Sequence, residues 1–404
     1  MCRNNKPDAV WPQTGEKGLS ETASIRNTAI IKNAFREYYF HSKSVEEPTR
    51  MEQREFGYSL FGQKGWIRHL SFSSMGALVA TLVKEAPSDV YCSNAYYRFP
   101  THPMQEKDWL GAFLIFDIDG KDLDLPCVPS HTYLLCTACR SAEPLHDQQS
   151  AFACRSCGAN KADSVSIPCA KCIDASKKEL KKLLGFLTGD IGIDQLAIRT
   201  YFSGNNGFHI HVSDDQFVTL DSSARSDLAG YLSGAGLLPE SLGVRKGNNE
   251  SLCVVKFPRG GIAYGWRNKL AEKLKIDGSS PLKLQHIVTQ AGGYSAFKSS
   301  LDRTARELGV KIDAQVTTDV HRIFRMPGTL NGKSGLAKTV FINPESFDPF
   351  RDSCVLGDNK VIIKLRCPVR LRLKGKPFNI SKESAELPAY AAVFLICKGL
   401  AEAC

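Results

Sequence analysis

Two acidic residues end a long apolar run in the first third of the chain. The run begins at Trp109, and Asp117-Ile-Asp119-Gly120 ends it. Side chains alternate along a β-strand, so Asp117 and Asp119 should share one face with their Cα atoms about 6.5 Å apart. Two carboxylates at that spacing suit shared divalent cations, and without a cation they would repel each other at the margin of a core. The pattern therefore predicts a buried strand whose end binds metal.

Three other interpretations of this stretch compete. Asp119-Gly120 can be the turn that ends a strand and no more. An EF-hand loop starting at Asp117 fails, because its fifth position would be Lys121 and its twelfth Val128 instead of Glu. The Asp-x-Asp-Gly pattern also resembles the haloacid-dehalogenase phosphatases, with Asp117 as nucleophile. Their motif continues with Thr, however, and Lys121 stands there in this chain.

Half of the 14 cysteines fall between residues 127 and 172. Clustered cysteines in a chain that is expected to be cytosolic are more often metal ligands than disulfides. Two Cys-x-x-Cys pairs separated by fourteen residues have the spacing of a zinc ribbon, and flanking ligands can close a second site. Sites with four protein ligands leave no position for water, so both zinc ions should be structural. The predicted sets are Cys136, Cys139, Cys154 and Cys157 for the ribbon, and Cys127, His131, Cys169 and Cys172 for the second site.

A hairpin with a Gly-Asn-Asn-Gly turn is predicted at residues 196–213. Its second strand places His209 and His211 on one face and apolar residues on the other. Aligned histidines beside a glycine-rich turn suit contact with phosphate. The alternative is that they are exposed strand residues without a role.

The segment 311–333 is rich in cations and contains two acids, Asp313 and Asp319. Arg322 and Arg325 lie three residues apart, which predicts a short helix ended by the following proline. A glycine-containing loop with Lys333 comes next. This composition is expected for a site that holds a triphosphate, although a solvated basic helix end is the alternative.

Composition limits the class of protein. The chain has 404 residues, of which 43% are hydrophobic and 23% charged, enough for two or three domains with an ample core. No apolar run has the length of a membrane span, and the first residues lack the apolar segment of a signal peptide, so we expect a cytosolic protein without a membrane partner. The net charge of +10 favours a polyanionic partner.

The elements that must position these residues follow from local patterns. Helices are predicted at 25–39, 74–85 and 387–400 and immediately after Cys172, a hairpin at 55–72, and strands at 96–97 and 359–372. We expect an α/β protein with a mixed sheet surrounded by helices. Its expected parts are an N-terminal core section (1–126), a zinc module (127–172), a core continuation (173–213), an inserted, partly helical subdomain (214–300) and a C-terminal core section (301–404).

Three motifs in this order resemble the small catalytic subunit of the archaeal and eukaryotic replicative DNA primases, the archaeal members most closely. They are the Asp-x-Asp strand, the Ser-Gly-x-x-Gly-x-His hairpin from Ser203, and the Asp…Arg-x-Pro-Gly…Gly-Lys segment ending at Lys333. The resemblance also includes Arg54-Glu-Phe-Gly and Arg68-His-Leu-Ser-Phe and extends over nearly the whole chain. It implies the primase fold, in which two β-rich halves hold the acids in a cleft.

The resemblance implies roles for individual residues. Asp117 and Asp119 match the metal-binding pair and Asp313 the third carboxylate, which leaves Asp319 as a helix-start residue. The second cysteine set matches the zinc knuckle of the family, so the ribbon would be an insertion with its own zinc. Positions that match nucleotide contacts are Ser203, His209, Arg325 and Lys333.

Two positions depart from the family pattern. Many relatives have Arg where this chain has Asn206, and His where it has Asn331. Asn can hydrogen-bond a phosphate or sugar but supplies no charge, so these nucleotide-binding positions should stabilise the transition state less. More of the triphosphate charge would then fall to Arg325, Lys333 and a protonated His209.

The resulting hypothesis is template-directed primer synthesis by two-metal-ion nucleotidyl transfer. Asp117, Asp119 and Asp313 would hold Mg²⁺ or Mn²⁺ ions about 3.5 to 4 Å apart. Implied partners are single-stranded DNA, ribonucleotides or deoxyribonucleotides, and an iron-sulfur large subunit encoded as a separate chain. The alternatives are the Asp-x-Asp phosphatase and a zinc-ribbon protein that binds nucleic acid without catalysis.

Overall fold

The computed structural model describes residues 21–145, 152–247, 253–255, 265–275 and 281–404. The α-helices within these ranges are α1 (Glu21–His41), α2 (Met75–Glu85), α3 (Ala170–Gly185), α4 (Ser222–Ser233), α5 (Gly265–Leu274), α6 (Pro281–Gln290), α7 (Tyr294–Leu308), α8 (Ala314–Thr318), α9 (Pro349–Asp352) and α10 (Ala389–Cys397). The strands are β1 (Phe56–Ser59), β2 (Ile67–Leu70), β3 (Asp89–Ser93), β4 (Ala95–Tyr97), β5 (Trp109–Ala112), β6 (Leu114–Asp119), β7 (Thr132–Cys136), β8 (Ala142–Pro144), β9 (Ala162–Ser166), β10 (Ile198–Phe202), β11 (Gly207–Val212), β12 (Val244–Lys246), β13 (Cys253–Val255), β14 (Ile323–Arg325), β15 (Thr339–Phe341), β16 (Lys360–Leu365), β17 (Val369–Leu373), β18 (Lys376–Ile380), β19 (Ser384–Pro388) and β20 (Ala401–Ala403).

Two four-stranded sheets carry most of the predicted site. The first sheet has the order β14-β3-β1-β2, and the second has the order β15-β10-β11-β6. Smaller sheets of two or three strands complete the fold, including β8-β7-β9 in the cysteine-rich block. The α/β composition is as predicted. The expected mixed sheet is replaced by several small ones, and every strand pair that the described residues form is antiparallel.

The apolar run 109–119 is two strands and not the single strand predicted. Its first part, β5, pairs with β4, and its second part, β6, pairs with β11. The backbone leaves the extended region at Gly111, where φ is +148° and an added Cβ would lie 2.4 Å from the Val218 side chain. A residue without a side chain is therefore required at the point where the run changes partners.

A buried arginine stabilises this change of partner. Arg225 of α4 is fully buried and donates to the carbonyl oxygens of Ala112 (2.6 Å) and Phe113 (2.9 Å). Carbonyl groups at a break between strands lose their ladder partners, and a buried carbonyl without a donor costs free energy. Helix α4 thus supplies the hydrogen bonds that the split of the apolar run removes.

The two faces of β6 contact different parts of the fold. Leu114, Phe116 and Ile118 point into the main hydrophobic core. Ile115 lies on the opposite face, where it forms a small apolar cluster with Val316 and Phe324. Asp117 and Asp119 share this second face with Ile115, because residues two apart point the same way along a strand.

Most of the local predictions are confirmed. The helices at 25–39 and 74–85 are α1 and α2, and Ser74 caps α2 by accepting from the Ala77 amide (3.3 Å). The hairpins at 55–72 and 196–213 form as β1–β2 and β10–β11. Helix α3 begins at Ala170, earlier than predicted, so that Cys172 lies in its first turn.

Two predictions for the segment 311–333 are wrong. Residues Ile323–Arg325 form strand β14 at the edge of the first sheet, where a helix was expected, because they pair with β3. Asp319 is not a helix-start residue. The helix α8 starts after Asp313, whose Oδ1 accepts from the Gln315 amide (3.0 Å), and Asp319 lies at its end.

The described parts of residues 214–300 contain α4, α5, α6, most of α7 and the antiparallel strands β12 and β13. Helix α4 packs against α7 and α8, and α8 in turn packs on β6, so α8 links this region to the strand that carries the two acids. The basic stretch at 256–261 lies outside the described residues. Within the described ranges, no helix combines the length and the apolar character that crossing a membrane requires.

Candidate active site and metal-binding sets

An open cleft of about 460 Å³ lies between the first and second sheets. Eight of the nine residues predicted from sequence for catalysis or nucleotide binding line it. Asp313 does not line the cleft, but its backbone N–H donates to the carbonyl oxygen of Asp117 (3.0 Å). The eight lining residues are Asp117, Asp119, Ser203, Asn206, His209, Arg325, Asn331 and Lys333.

The register between β6 and β11 positions the two acids. Asp117 lies directly opposite His209, and Asp119 lies opposite Gly207. A Cβ at Gly207 would come within 2.3 Å of the Ile118 carbonyl oxygen, so glycine alone allows the two strands to approach here. The hairpin turn and the acidic strand are thereby held together at one end of the second sheet.

The acids at the end of β6 repel one another. Burial, and after it the negative charges of Asp119 and Asp313, raise the pKa of Asp117 to about 7. Lys121 pairs with Asp119 (3.0 Å), but its own side chain is 71% exposed, so solvent screens that pair. Oxygen ligands with unneutralised charge are the donor set that Mg²⁺ and Mn²⁺ prefer. Asp117 and Asp119 offer such oxygen ligands at the cleft, and Asp313 lies near enough for its charge to raise the Asp117 pKa.

The environment of His209 opposes its protonation. Its Nε2 lies 3.5 Å from Asp117 Oδ1, and its buried Nδ1 has no hydrogen-bond partner within the described ranges. Burial, followed by the charges of Lys338 and Arg325, lowers the pKa of His209 well below its ordinary value. The expectation that a protonated His209 adds positive charge is corrected, because the surrounding cations and the lack of solvent oppose its protonation.

Ser203 organises the turn between β10 and β11. Its Oγ accepts from the backbone N–H groups of Asn205 (3.3 Å) and Gly207 (3.1 Å). Asn206, next in the turn, accepts from the Gly120 amide through its carbonyl oxygen (3.2 Å), while its buried side-chain Oδ1 has no hydrogen-bond partner in the described part of the chain. An unsatisfied buried oxygen in a cleft is a position where a ligand donor can bind.

Arg325 and the loop that follows it form the opposite wall. The Arg325 guanidinium lies 2.6 Å from Asp89 Oδ1 and also donates to the Leu330 carbonyl oxygen (3.0 Å). Burial opposes ionisation of Asp89, but the Arg325 charge prevails and lowers the pKa of this carboxyl. Asn331 is buried, and its Oδ1 accepts from the Lys333 amide (2.9 Å). The loop is thus preorganised, with Lys333 held at the cleft.

Several residues that line the cleft have roles that local sequence patterns do not indicate. Asp89, which fixes Arg325, gave no local signal. Trp66 and Tyr91 stack with ring centroids 4.4 Å apart, and Trp66 remains half exposed at the cleft. Arg68 donates from Nε to the fully buried Glu55 (2.9 Å). Arg68 and Glu55 belong to the motifs that carry the resemblance, and the pairing of β1 with β2 and β3 places Arg68 at the cleft with the buried Glu55 behind it.

The two cysteine sets form as predicted. In each set four ligand atoms lie within 4.8 Å of one another. Among the described residues, these two sets are the groups of three or more His, Cys, Asp or Glu side chains whose ligand atoms come this close together. The Cys₃His set consists of Cys127, His131, Cys169 and Cys172, and the Cys₄ set of Cys136, Cys139, Cys154 and Cys157.

The ligand spacing in both sets fits a tetrahedral metal such as zinc. Zn–S bonds of about 2.3 Å in a tetrahedron separate the sulfur atoms by about 3.8 Å. The observed Sγ distances are 3.5 Å for Cys127 to Cys172, 3.7 Å for Cys127 to Cys169 and 3.5 Å for Cys139 to Cys154. His131 directs Nε2 to Cys172 Sγ (3.2 Å), and its Nδ1 lies 3.0 Å from Ser166 Oγ. A hydrogen bond on the second ring nitrogen typically orients a metal-binding histidine.

Comparisons with known proteins identify the family of the chain. Residues 163–342 match the family model described as DNA primase small subunit, a range that contains the β10–β11 hairpin, Asp313 and Lys333. The chain is 40% identical to the DNA primase small subunit PriS of Nitrosopumilus maritimus, with 92% of this chain and 97% of the relative covered. The PriS proteins of Cenarchaeum symbiosum and Methanothrix thermoacetophila are 39% and 32% identical, with 94% and 93% of this chain and 99% of each relative covered. The chain therefore belongs to the DNA primase small subunit family.

Proposed function

We propose that the chain is the catalytic subunit of a DNA primase, a nucleotidyltransferase that synthesises short primers on single-stranded DNA during replication. The observation that carries this proposal is the position of the carboxylates of β6 opposite Arg325 and Lys333 across one cleft. One wall supplies metal ligands and the other supplies cations for a triphosphate, the two requirements of phosphoryl transfer.

The proposed catalytic roles follow from this arrangement. Asp117, Asp119 and Asp313 would hold two Mg²⁺ or Mn²⁺ ions, which supply Lewis-acid stabilisation of the attacking 3′-hydroxyl and of the leaving pyrophosphate. In the reaction the 3′-oxygen would form a bond to the α-phosphorus. The bond between that phosphorus and the oxygen that bridges the α- and β-phosphates would break, and pyrophosphate would leave. Separate groups on the protein would orient the substrate for in-line attack.

Triphosphate binding would depend on groups that are already in place. The Arg325 guanidinium is oriented by Asp89, and Lys333 is held by the loop around Asn331. The Ser203 turn places Asn206 at the same cleft. Because burial and neighbouring cations lower the pKa of His209, its imidazole would act as an uncharged hydrogen-bonding group toward the nucleotide or Asp117.

The proposal includes the partners that the family implies. Nucleoside triphosphates or deoxynucleoside triphosphates would be the substrates, and an iron-sulfur large subunit would form a heterodimer with this chain in the cytoplasm, at the chromosome. Zinc in the Cys₃His and Cys₄ sets would be structural, since each set offers four protein ligands. The phosphatase and non-catalytic alternatives are not favoured by the relatives, which are named DNA primase small subunits.

The test uses purified protein with single-stranded DNA, Mg²⁺ or Mn²⁺ and labelled nucleotides, with and without the large subunit. We expect template-dependent oligomers from the wild type and none from Asp117→Ala, whose fold is checked by circular dichroism. Synthesis by Asp117→Ala would refute the role of the acids. No product from either protein, even with the large subunit, would favour nucleic-acid binding without catalysis.

A further inference from the structure

Lys398 is a buried lysine that joins the cysteine-rich block to the cleft. It follows α10, a helix whose residues are almost all buried, and is itself only 7% exposed. Its Nζ donates to the Asn205 side-chain oxygen (2.8 Å) and to the Ser166 carbonyl oxygen (3.2 Å). A buried ammonium requires acceptors, so these two contacts fix the relative positions of Asn205 and Ser166.

The Ser166 contact leads to the Cys₃His set. Ser166 ends β9, and its Oγ lies 3.0 Å from Nδ1 of His131, a member of that set. The next residue, Ile167, donates its backbone N–H to the His131 carbonyl oxygen (3.1 Å). Any displacement of His131 is therefore transmitted to the carbonyl oxygen that Lys398 binds.

The Asn205 contact leads to the nucleotide side of the cleft. Asn205 belongs to the turn that Ser203 organises, and both residues line the cleft. On its other side the turn is bound by the Gly120 amide, which donates to the Asn206 carbonyl oxygen (3.2 Å). Lys398 and Gly120 thus hold the turn from two directions.

We propose that Lys398 is a positioning residue that couples metal binding at the Cys₃His set to the conformation of the Ser203 turn. Its effect on nucleotide affinity rests on the function proposed above, whereas its effect on the turn does not. When the Cys₃His set has no metal, His131 and Ser166 are free to shift, and the ammonium loses one of its two acceptors. The coupling is then the difference in stability of the Ser203 turn between the chain with metal in the Cys₃His set and the chain without it.

Amide hydrogen exchange at residues 203–207 tests the coupling directly in the full chain. The variants are Lys398→Met, with Lys382→Met as the matched control at an exposed lysine, and Cys169→Ser and Cys157→Ser to disrupt one metal set each. We expect faster exchange in Lys398→Met and in Cys169→Ser, but wild-type rates in Lys382→Met and Cys157→Ser. Combining Lys398→Met with Cys169→Ser should add little, because both remove the same link.

Wild-type exchange rates in metal-loaded Lys398→Met would overturn the proposal, and so would fully additive effects of the two changes. If Lys398→Met fails to fold, Asn205→Ala removes the same contact from the other end and should give the same faster exchange. In primer assays, loss of this charged hydrogen bond should raise KM for the nucleotide on the order of 5- to 10-fold and leave kcat within about twofold. Absence of primer synthesis in the wild type would refute the proposed function and leave the exchange result intact.

Discussion

His209 lies directly opposite Asp117 in the β6–β11 pair, with its Nε2 3.5 Å from the carboxylate Oδ1. The pair does not behave as an ordinary salt bridge, because the surroundings oppose charge on both partners. Burial and neighbouring acids raise the pKa of Asp117 to about 7, while burial and neighbouring cations lower the pKa of His209. A divalent cation at the carboxylates would favour ionised Asp117 and stabilise the site.

Replacing Asp117 by Asn should abolish synthesis while sparing the fold. The amide keeps the shape of the side chain but removes a metal ligand, so we expect primer synthesis to fall on the order of 100-fold or more. Removing one of three like charges should leave the metal-free protein as stable as the wild type or more so. Primer assays and thermal unfolding measure both effects. The control is Asp122→Asn at an exposed acid nearby, which should retain activity.

The raised pKa of Asp117 also predicts how stability depends on pH without divalent cations. The native carboxyl titrates near pH 7 and the unfolded one near pH 3.8, so between these values the native state binds more protons. The Asp117 carboxyl therefore contributes fully to the free energy of unfolding below about pH 4, and this contribution is lost as the pH rises through 7. The free energy of unfolding should fall by up to about 1.4 kcal/mol for each pH unit in this range. Urea unfolding from pH 4 to 8 should show this loss in the wild type and not in Asp117→Asn. Equal slopes would contradict the prediction.

Adding positive charge to the turn should strengthen nucleotide binding. Asn206 lines the cleft, and its buried side-chain oxygen has no hydrogen-bond partner in the described residues. A charged hydrogen bond to phosphate is stronger than a neutral one, so Asn206→Arg should lower KM for the nucleotide by several-fold, on the order of 1 kcal/mol. Steady-state kinetics with Asn206→Gln as the uncharged control measures this effect. A KM that is unchanged or higher would show that the triphosphate binds elsewhere.

The two cysteine sets should bind metal independently. Each set is complete by itself, and no ligand is shared between them. Cys157→Ser should therefore reduce the bound zinc from two ions per chain to one, and Cys169→Ser should do the same. Metal analysis of the purified variants gives the count. Loss of both ions from either single variant would show that the module folds as one unit.

Local signals in the sequence were sufficient for part of this site. The Cys-x-x-Cys spacing predicted the ligand sets, since two residues between cysteines bring both thiols to one metal. The Gly-Asn-Asn-Gly turn predicted the β10–β11 hairpin, because such turns favour two adjacent antiparallel strands. In both examples the determining contacts lie close together in the chain.

The predictions from sequence are wrong where contacts with residues far away in the chain determine the local structure. The apolar pattern of residues 109–119 predicts one strand, but Gly111 and the buried Arg225 allow the run to change sheets. Arg322 and Arg325 have helical spacing, yet pairing with β3 makes this segment a strand. The Asp89 carboxylate that orients Arg325 lies far away in sequence and could not be found from local patterns. Tertiary hydrogen bonds override local propensity in these places.

Lys338 provides a second test of the interior electrostatics. It is fully buried. Its Nζ donates to the Arg325 carbonyl oxygen (2.9 Å) and lies 3.0 Å from His211 Nε2, so Lys338 joins the first sheet to the second. Burial, and then the charge of Arg325, lowers the pKa of Lys338 to about 7. Replacing it by Met leaves the carbonyl oxygen and the imidazole nitrogen without this donor, so Lys338→Met should destabilise the protein by about 1–3 kcal/mol at pH 9.

The effect of Lys338→Met should shrink as the pH falls from 9 to 7. In this range the unfolded lysine is protonated and the native one largely is not, so the unfolded state binds more protons and wild-type stability rises with pH. The Met variant lacks this rise. The difference in stability between the wild type and Lys338→Met should therefore grow by up to about 1.4 kcal/mol for each unit by which the pH increases. Urea unfolding at pH 7, 8 and 9 measures the two slopes, with the exposed Lys382→Met as control. Parallel slopes would mean that Lys338 stays protonated in the fold and that its acceptors compensate for burial.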